Sequence, residues 1–141
     1  MYDGDEKKLL WRENMMKLTF TENGLKTELP YGELHISPED EHGFRPFQLM
    51  VASVSACSLS VFRQVLQKQR VQFEELYVEA EVSRKEDEAN RIEQIDLTFT
   101  IKGENLKEER LKKSLEVSSK NCSMVRSVQD SIRIVKHLKI I

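Results

Sequence analysis

Two cysteines, Cys57 and Cys122, stand 65 residues apart in a chain of 141. A thiolate attacks the oxygen of a peroxide or the sulfur of a disulfide, whereas the neutral thiol that prevails near pH 7 does not. Two cysteines are too few for a disulfide-dense secreted scaffold. In a reducing compartment such a pair is either two buried thiols or a redox couple that closes only during turnover. Cys57 lies in a run of Val, Ala, Met and Leu, where desolvation opposes the charged form. Its own sequence surroundings therefore describe an inert thiol, a small buried hydrophobe among others.

The remaining candidates for chemistry are weaker. His35, His42 and His137 are scattered and lack the spacing of a zinc site, so no metal is expected. Neither GxGxxG nor GxxxxGK occurs among only 5 glycines, and no cofactor is expected. Ser53, Ser55, Ser58 and Ser60 read as small packing residues whose hydroxyls bond to the preceding helical turn. The charge balance is 22 − 24 = −2, which gives nucleic acid no concentrated positive surface to bind. The longest apolar stretch, Leu49 to Cys57, is shorter than a bilayer requires, and the start MYDGDEKKLLW lacks a basic, apolar secretory pattern. A cytoplasmic protein with no membrane span is the expectation.

The elements that must position the thiols follow from periodicity. Residues 1–13 read as an extension carrying Leu9-Leu10-Trp11, and 14–141 as one domain. Alternation begins at Lys17 and predicts a strand through Thr21, ended by Glu22-Asn23-Gly24. Asn23-Gly24 predicts a hairpin turn with positive φ, Leu25 to Leu29 the return strand, and Glu33 to Ile36 a third. Ser37 to Gly43 is polar and acidic, a loop. From Pro46 to about Lys68 apolar residues recur at spacings of three and four, with no charge between Gln48 and Arg63. This predicts a helix covered on most sides, with Pro46 at its first position. Its period places Met50, Val54, Cys57 and Val61 on one flank.

Leu76, Val78, Ala80 and Val82 alternate with polar residues and predict a strand paired, across the charged turn RKEDEAN, with one from Ile92 to Ile101. Asn105 followed by Glu108 predicts a capping box for a helix burying Leu111, Leu115 and Ser118 or Ser119. A shorter helix carries Cys122, Val125 and Val128. Ile132, Ile134, Leu138 and Ile140, with Arg133, Lys136 and Lys139 among them, predict a last, somewhat irregular strand. Three strands, a long helix, two strands, one or two helices and a strand make an α+β domain.

The stretch RPFQLMVASVSACSLSVF resembles the signature helix of the OsmC/Ohr family. Pro46, Gln48, Leu49, Ala52, Ala56 and Cys57 stand in the corresponding places, and Asn121-Cys122-Ser123-Met124 is similar to the family's second cysteine site, with Ser123 where a Pro is usual. The resemblance covers roughly residues 17–141. It implies an intertwined homodimer with the cysteine helices packed centrally, and thiol-dependent reduction of organic hydroperoxides by Cys57 as peroxidatic thiolate and Cys122 as resolving thiol. A thiol or dithiol reductant would then complete the cycle. In active members a hairpin Arg and a Glu at the start of the cysteine helix organise the thiolate. Here Phe47 occupies the Glu position and no Arg occurs between Met16 and Phe44. Arg45 and Arg126 are the nearest alternatives in sequence, though neither matches the family position. Loss of the charged partners leaves a second expectation open: a non-catalytic homodimer that binds a small apolar ligand in a pocket around Phe47, Met50, Val54 and Val61.

Overall fold

The computed structural model describes residues 15–141, so the expected extension 1–13 with its Leu9-Leu10-Trp11 cluster lies outside the described residues. The chain divides into two compact units, one ending at Leu49 and the other running from Met50 to Ile141.

In the first unit, β1 (Leu18–Phe20), β2 (Leu25–Glu28) and β3 (Glu33–Ile36) form an antiparallel meander, with Leu18 opposite Thr27 and Leu25 opposite Ile36. The turn between β1 and β2 differs from expectation. Neither Asn23 nor Gly24 adopts positive φ. Thr21 N–H donates to the Gly24 carbonyl, and a Cβ at position 24 would collide with the Ile36 carbonyl oxygen. The glycine thus serves close approach of two backbones, not a left-handed turn. The Ser37 hydroxyl donates to the Asn23 carbonyl at 3.0 Å and ties the loop after β3 back to that turn.

The helix α1 (Pro46–Lys68) has the predicted limits, with Pro46 as its first residue. Within this chain its buried stripe is narrow: Val54, Ser58, Phe62 and Leu66, each one turn from the last. Coverage on most sides is not found, and Met50 is 44% exposed. The helix is also long and apolar enough, by length and composition, to cross a membrane. The stretch Leu49 to Cys57 understated this, because the serines and the few polar residues around it scarcely lower the hydropathy of the whole helix.

The second unit owes its core to β5 (Arg91–Lys102), which buries Ile92, Ile95, Leu97, Phe99 and Ile101. β4 (Glu75–Lys85) pairs antiparallel with one edge of β5, and β6 (Arg133–Ile140) pairs parallel with the other. A parallel pair needs a crossover, which α2 (Glu108–Asn121) and α3 (Ser123–Val128) supply. Phe62 meets Phe99 edge to face at 5.5 Å between centroids, which anchors α1 on the sheet. The expected capping box at Asn105 is not made. Asn105 is itself left-handed (φ 58°), and Lys107, without a side-chain cap, precedes α2. Thr100 is buried although strict alternation with Phe99 and Ile101 would turn it to water.

Candidate functional site

Cys57 lies half-buried on α1 beside the buried stripe, one residue before Ser58. Cys122 is fully buried in the break between α2 and α3, with extended backbone (φ −87°, ψ 111°), so it separates the two helices and does not belong to either. The two sulfurs are 3.0 Å apart, with the Cys122 thiol donating to Cys57 Sγ, and both cysteines are free. About 1 Å of approach separates that distance from a disulfide bond. Ser123 Oγ stands 3.8 Å from Cys57 Sγ, and Ser58 Oγ stands 3.6 Å from Cys122 Sγ. Ser55 bonds back to Val51 in the expected manner, but Ser58 faces the second sulfur.

The electrostatics reverse the inert reading of Cys57. Burial is the largest single influence and opposes ionisation. Hydrogen bonds from the Cys122 thiol, the Met124 backbone, the Ser123 hydroxyl and the Ser123 backbone together outweigh it, and hold the Cys57 thiol below its ordinary value. The backbone donors are the unsatisfied N–H groups that open α3. Their help comes from a helix 66 residues further along the chain, which explains why the surroundings of Cys57 in sequence did not reveal it.

Lys136 is the buried amine that periodicity passed over. Its Nζ is buried, has no hydrogen-bond partner among the described residues and stands 5.6 Å from the centroid of the Phe99 ring. Burial pushes its pKa down, while charge attraction to Cys122 and then Cys57 acts in the opposite direction. The signal was present in the strand register. In a period of two, Lys136 shares its face with Ile132, Ile134, Leu138 and Ile140, the apolar row of the last strand, and not with Arg133 and Lys139.

The other expected site residues are placed as follows. Arg45 and Phe47 belong to the first unit, with the guanidinium 4.9 Å from the ring centroid, and Arg45 Nε is also 4.0 Å from Asp40. Arg126 is exposed on α3. Of the expected apolar flank, Val54 is buried, Val61 half-buried and Met50 exposed. Among the described residues, no three His, Cys, Asp or Glu side chains cluster in a way that would hold a metal ion.

The OsmC-like protein family matches residues 38–136, more than half the chain. The chain belongs to the OsmC-like family. No curated protein sequence matches it. Among solved structures, a hypothetical protein from Aquifex aeolicus VF5 is similar at 20% identity with a TM-score of 0.78, covering 89% of this chain and 94% of that one. An OsmC-like protein from Mycoplasma pneumoniae has 16% identity and a TM-score of 0.77, covering 89% and 95%. The organic hydroperoxide resistance protein OsmC from Legionella pneumophila has 18% identity and a TM-score of 0.65, covering 89% and 94%. These likenesses establish the OsmC-like fold for the described chain.

Proposed function

We propose that this OsmC-like protein reduces organic hydroperoxides by a two-thiol mechanism. The observation that carries the reading is the contact of the two free sulfurs at 3.0 Å, with the opening backbone of α3 directed at Cys57. Cys57 as thiolate attacks the outer peroxide oxygen; the O–O bond breaks, the alcohol leaves after taking a proton, and Cys57 becomes a sulfenic acid. Cys122 then attacks the Cys57 sulfur, water leaves and a disulfide forms. A thiol or dithiol reductant returns both cysteines to the reduced state. The lowered Cys57 thiol supports a reaction that keeps its rate at pH values where an ordinary free thiol is mostly protonated.

The substrate class is taken from the Legionella pneumophila relative, an organic hydroperoxide resistance protein. We read the active form as a soluble, cytoplasmic homodimer. Support comes from α1, whose uncharged stretch from Gln48 to Ser60 leaves Met50 largely exposed in one chain, a surface that a second copy would cover. Light scattering at micromolar concentration should give about twice the 16.5 kDa of one chain, and a mass of one chain would refute the dimer.

Stopped-flow oxidation of the reduced protein with cumene hydroperoxide, followed by non-reducing intact mass, tests the chemistry. Wild type should form the Cys57–Cys122 disulfide. Cys57→Ser should abolish peroxide consumption, and Cys122→Ser should consume one equivalent and stall at oxidised Cys57. Wild-type thiols that react no faster than a free thiol would overturn the mechanism and favour the apolar-ligand reading instead.

A further inference from the structure

Cys57 and Cys122 differ in what can stabilise a negative charge on each. Cys57 has the Cys122 thiol at 3.0 Å and the Ser123 hydroxyl at 3.8 Å, and the backbone that opens α3, at Ser123 and Met124, also favours its charged form. Cys122 is fully buried, spends its own S–H on Cys57, and has Ser58 Oγ at 3.6 Å. That arrangement suits the first oxidation, when Cys57 carries the charge. It does not suit the second step, when Cys57 is a sulfenic acid and Cys122 must itself become the nucleophile away from water.

Lys136 faces this problem from β6. A primary amine buried without a partner is costly, and it either loses its proton or finds a counter-charge. The Phe99 ring from β5 stands beside it at 5.6 Å, and charge attraction to Cys122, in the break between α2 and α3, and to Cys57 of α1 acts on it. From α2, Lys112 and Glu116 line a cleft of about 260 Å³ that the Lys136 side chain also borders. Lys112 is engaged with Glu108 at 3.2 Å. No carboxylate bonds to Lys136 among the described residues. Of the two sulfurs, Cys122 exerts the stronger attraction on it.

We propose that Lys136 is the positioning residue of the resolving step, the buried cation whose charge favours the Cys122 thiolate for attack on oxidised Cys57. The assignment rests on the two-thiol reading above. In the step, the Cys122 sulfur, its negative charge favoured by the Lys136 cation, gives up its proton and attacks Cys57 Sγ. The Cys57 S–O bond breaks, and the departing hydroxide takes up a proton as water. Cys122 is oxidised and the sulfenic sulfur reduced, both to the disulfide level, so no further oxidant or reductant enters.

Lys136→Met keeps the length of an apolar stem and removes the amine, while Lys136→Arg keeps a cation. After stoichiometric cumene hydroperoxide, with dimedone to trap sulfenic acid, Lys136→Met should close the disulfide about tenfold more slowly relative to Cys57 oxidation. Trapped Cys57 should accumulate, and raising the pH should recover the closure rate. Lys136→Arg should restore closure substantially. The melting temperature of Lys136→Met should equal or exceed that of wild type, since a buried unpartnered amine has been replaced by an apolar chain; a purely structural lysine would show the reverse. Closure at the wild-type rate in Lys136→Met would overturn the proposal.

Glutathione disulfide separates this failure from failure of the peroxidase reading. There Cys57 takes up glutathione and Cys122 displaces it, with no peroxide involved. Lysine-dependent closure with glutathione disulfide, but no reaction of wild type with hydroperoxide, would sustain Lys136 and overturn only the peroxidase chemistry. Equal closure rates in wild type and Lys136→Met would overturn the assignment of Lys136.

Discussion

Lys136 and His137 are neighbours on β6 and carry their polar groups to opposite faces of the same sheet. On the inner face, Lys136 Nζ is buried without a hydrogen bond, next to Phe99 and under the influence of both sulfurs. On the outer face, His137 Nε2 meets Asp96 Oδ1 at 3.2 Å, and both groups are open to solvent. The better-paired residue matters less. Water would solvate His137 and Asp96 whether or not they met, so their contact contributes little. The amine of Lys136 has surrendered its hydration, and what recovers part of that cost is the charge that can develop on sulfur. Burial, more than pairing, distinguishes an ionisable group with chemical consequences from one that merely decorates a surface.

The same distinction applies to the donors around Cys57 and can be sharpened by a single substitution. Ser123 is the first residue of α3, and Cys122 before it is already extended, the conformation that a following proline requires. Ser123→Pro should therefore fold with unchanged or slightly raised stability. It removes both the Ser123 N–H and the hydroxyl 3.8 Å from Cys57 Sγ, leaving the Met124 backbone and the Cys122 thiol as donors. The rate of Cys57 oxidation at pH 7 should fall by about threefold to tenfold, and the loss should shrink as pH rises and the thiol ionises unaided. A variant with wild-type melting and wild-type rate at every pH would mean that these donors do not govern Cys57.

Which parts of this arrangement were legible in sequence depends on the range over which each is determined. The limits of α1 and the strand pair β4–β5 are written in local periodicity, and Glu33–Ile36 was legible in the same way. Local rules failed where a partner distant in sequence made the choice. Asn105 followed by Glu108 satisfies the pattern of a capping box, yet the chain places Asn105 in a left-handed turn before α2 begins. Gly24 marks a turn, but its reason lies across the hairpin at Ile36. The parallel pairing of β6 follows from the crossover through α2 and α3, which no residue of β6 encodes.

The site was legible in the same uneven way. Cys57 and Cys122 were visible as residue types, and their proximity was available only through the family resemblance. The resemblance also directed attention to Phe47, in the place of the family's Glu, and to Arg45 beside it at the start of α1, where a cation stands over an aromatic ring. The groups that stabilise Cys57 come instead from the opening of α3, where backbone N–H groups carry no side-chain signature. Lys136 did carry one. A lysine in the apolar row of an alternating strand is an inconsistency between pattern and residue, and such inconsistencies concentrate where a fold gives up stability for chemistry.

The outer face supplies the smallest effect and the control for the inner one. Gln94 donates to Asp96 Oδ2 at 2.8 Å, and with His137 it holds the Asp96 carboxyl below the ordinary carboxylate value. A depressed carboxyl contributes stability that is fully present above its unfolded-state value and is lost as pH falls through the folded one. Asp96→Asn should thus lower the melting temperature near pH 7 by about 1–2 °C at most, and the difference from wild type should close when both are measured near pH 2. Thermal scans at the two pH values, with the rate of hydroperoxide-driven disulfide closure measured alongside, make the test. The closure rate should not change, because Asp96 projects from the face opposite Lys136 and the sulfurs. A melting difference that widened in acid would reverse the sign of the linkage argument, while a loss of closure comparable to that of Lys136→Met would show that the two faces of the sheet are not independent.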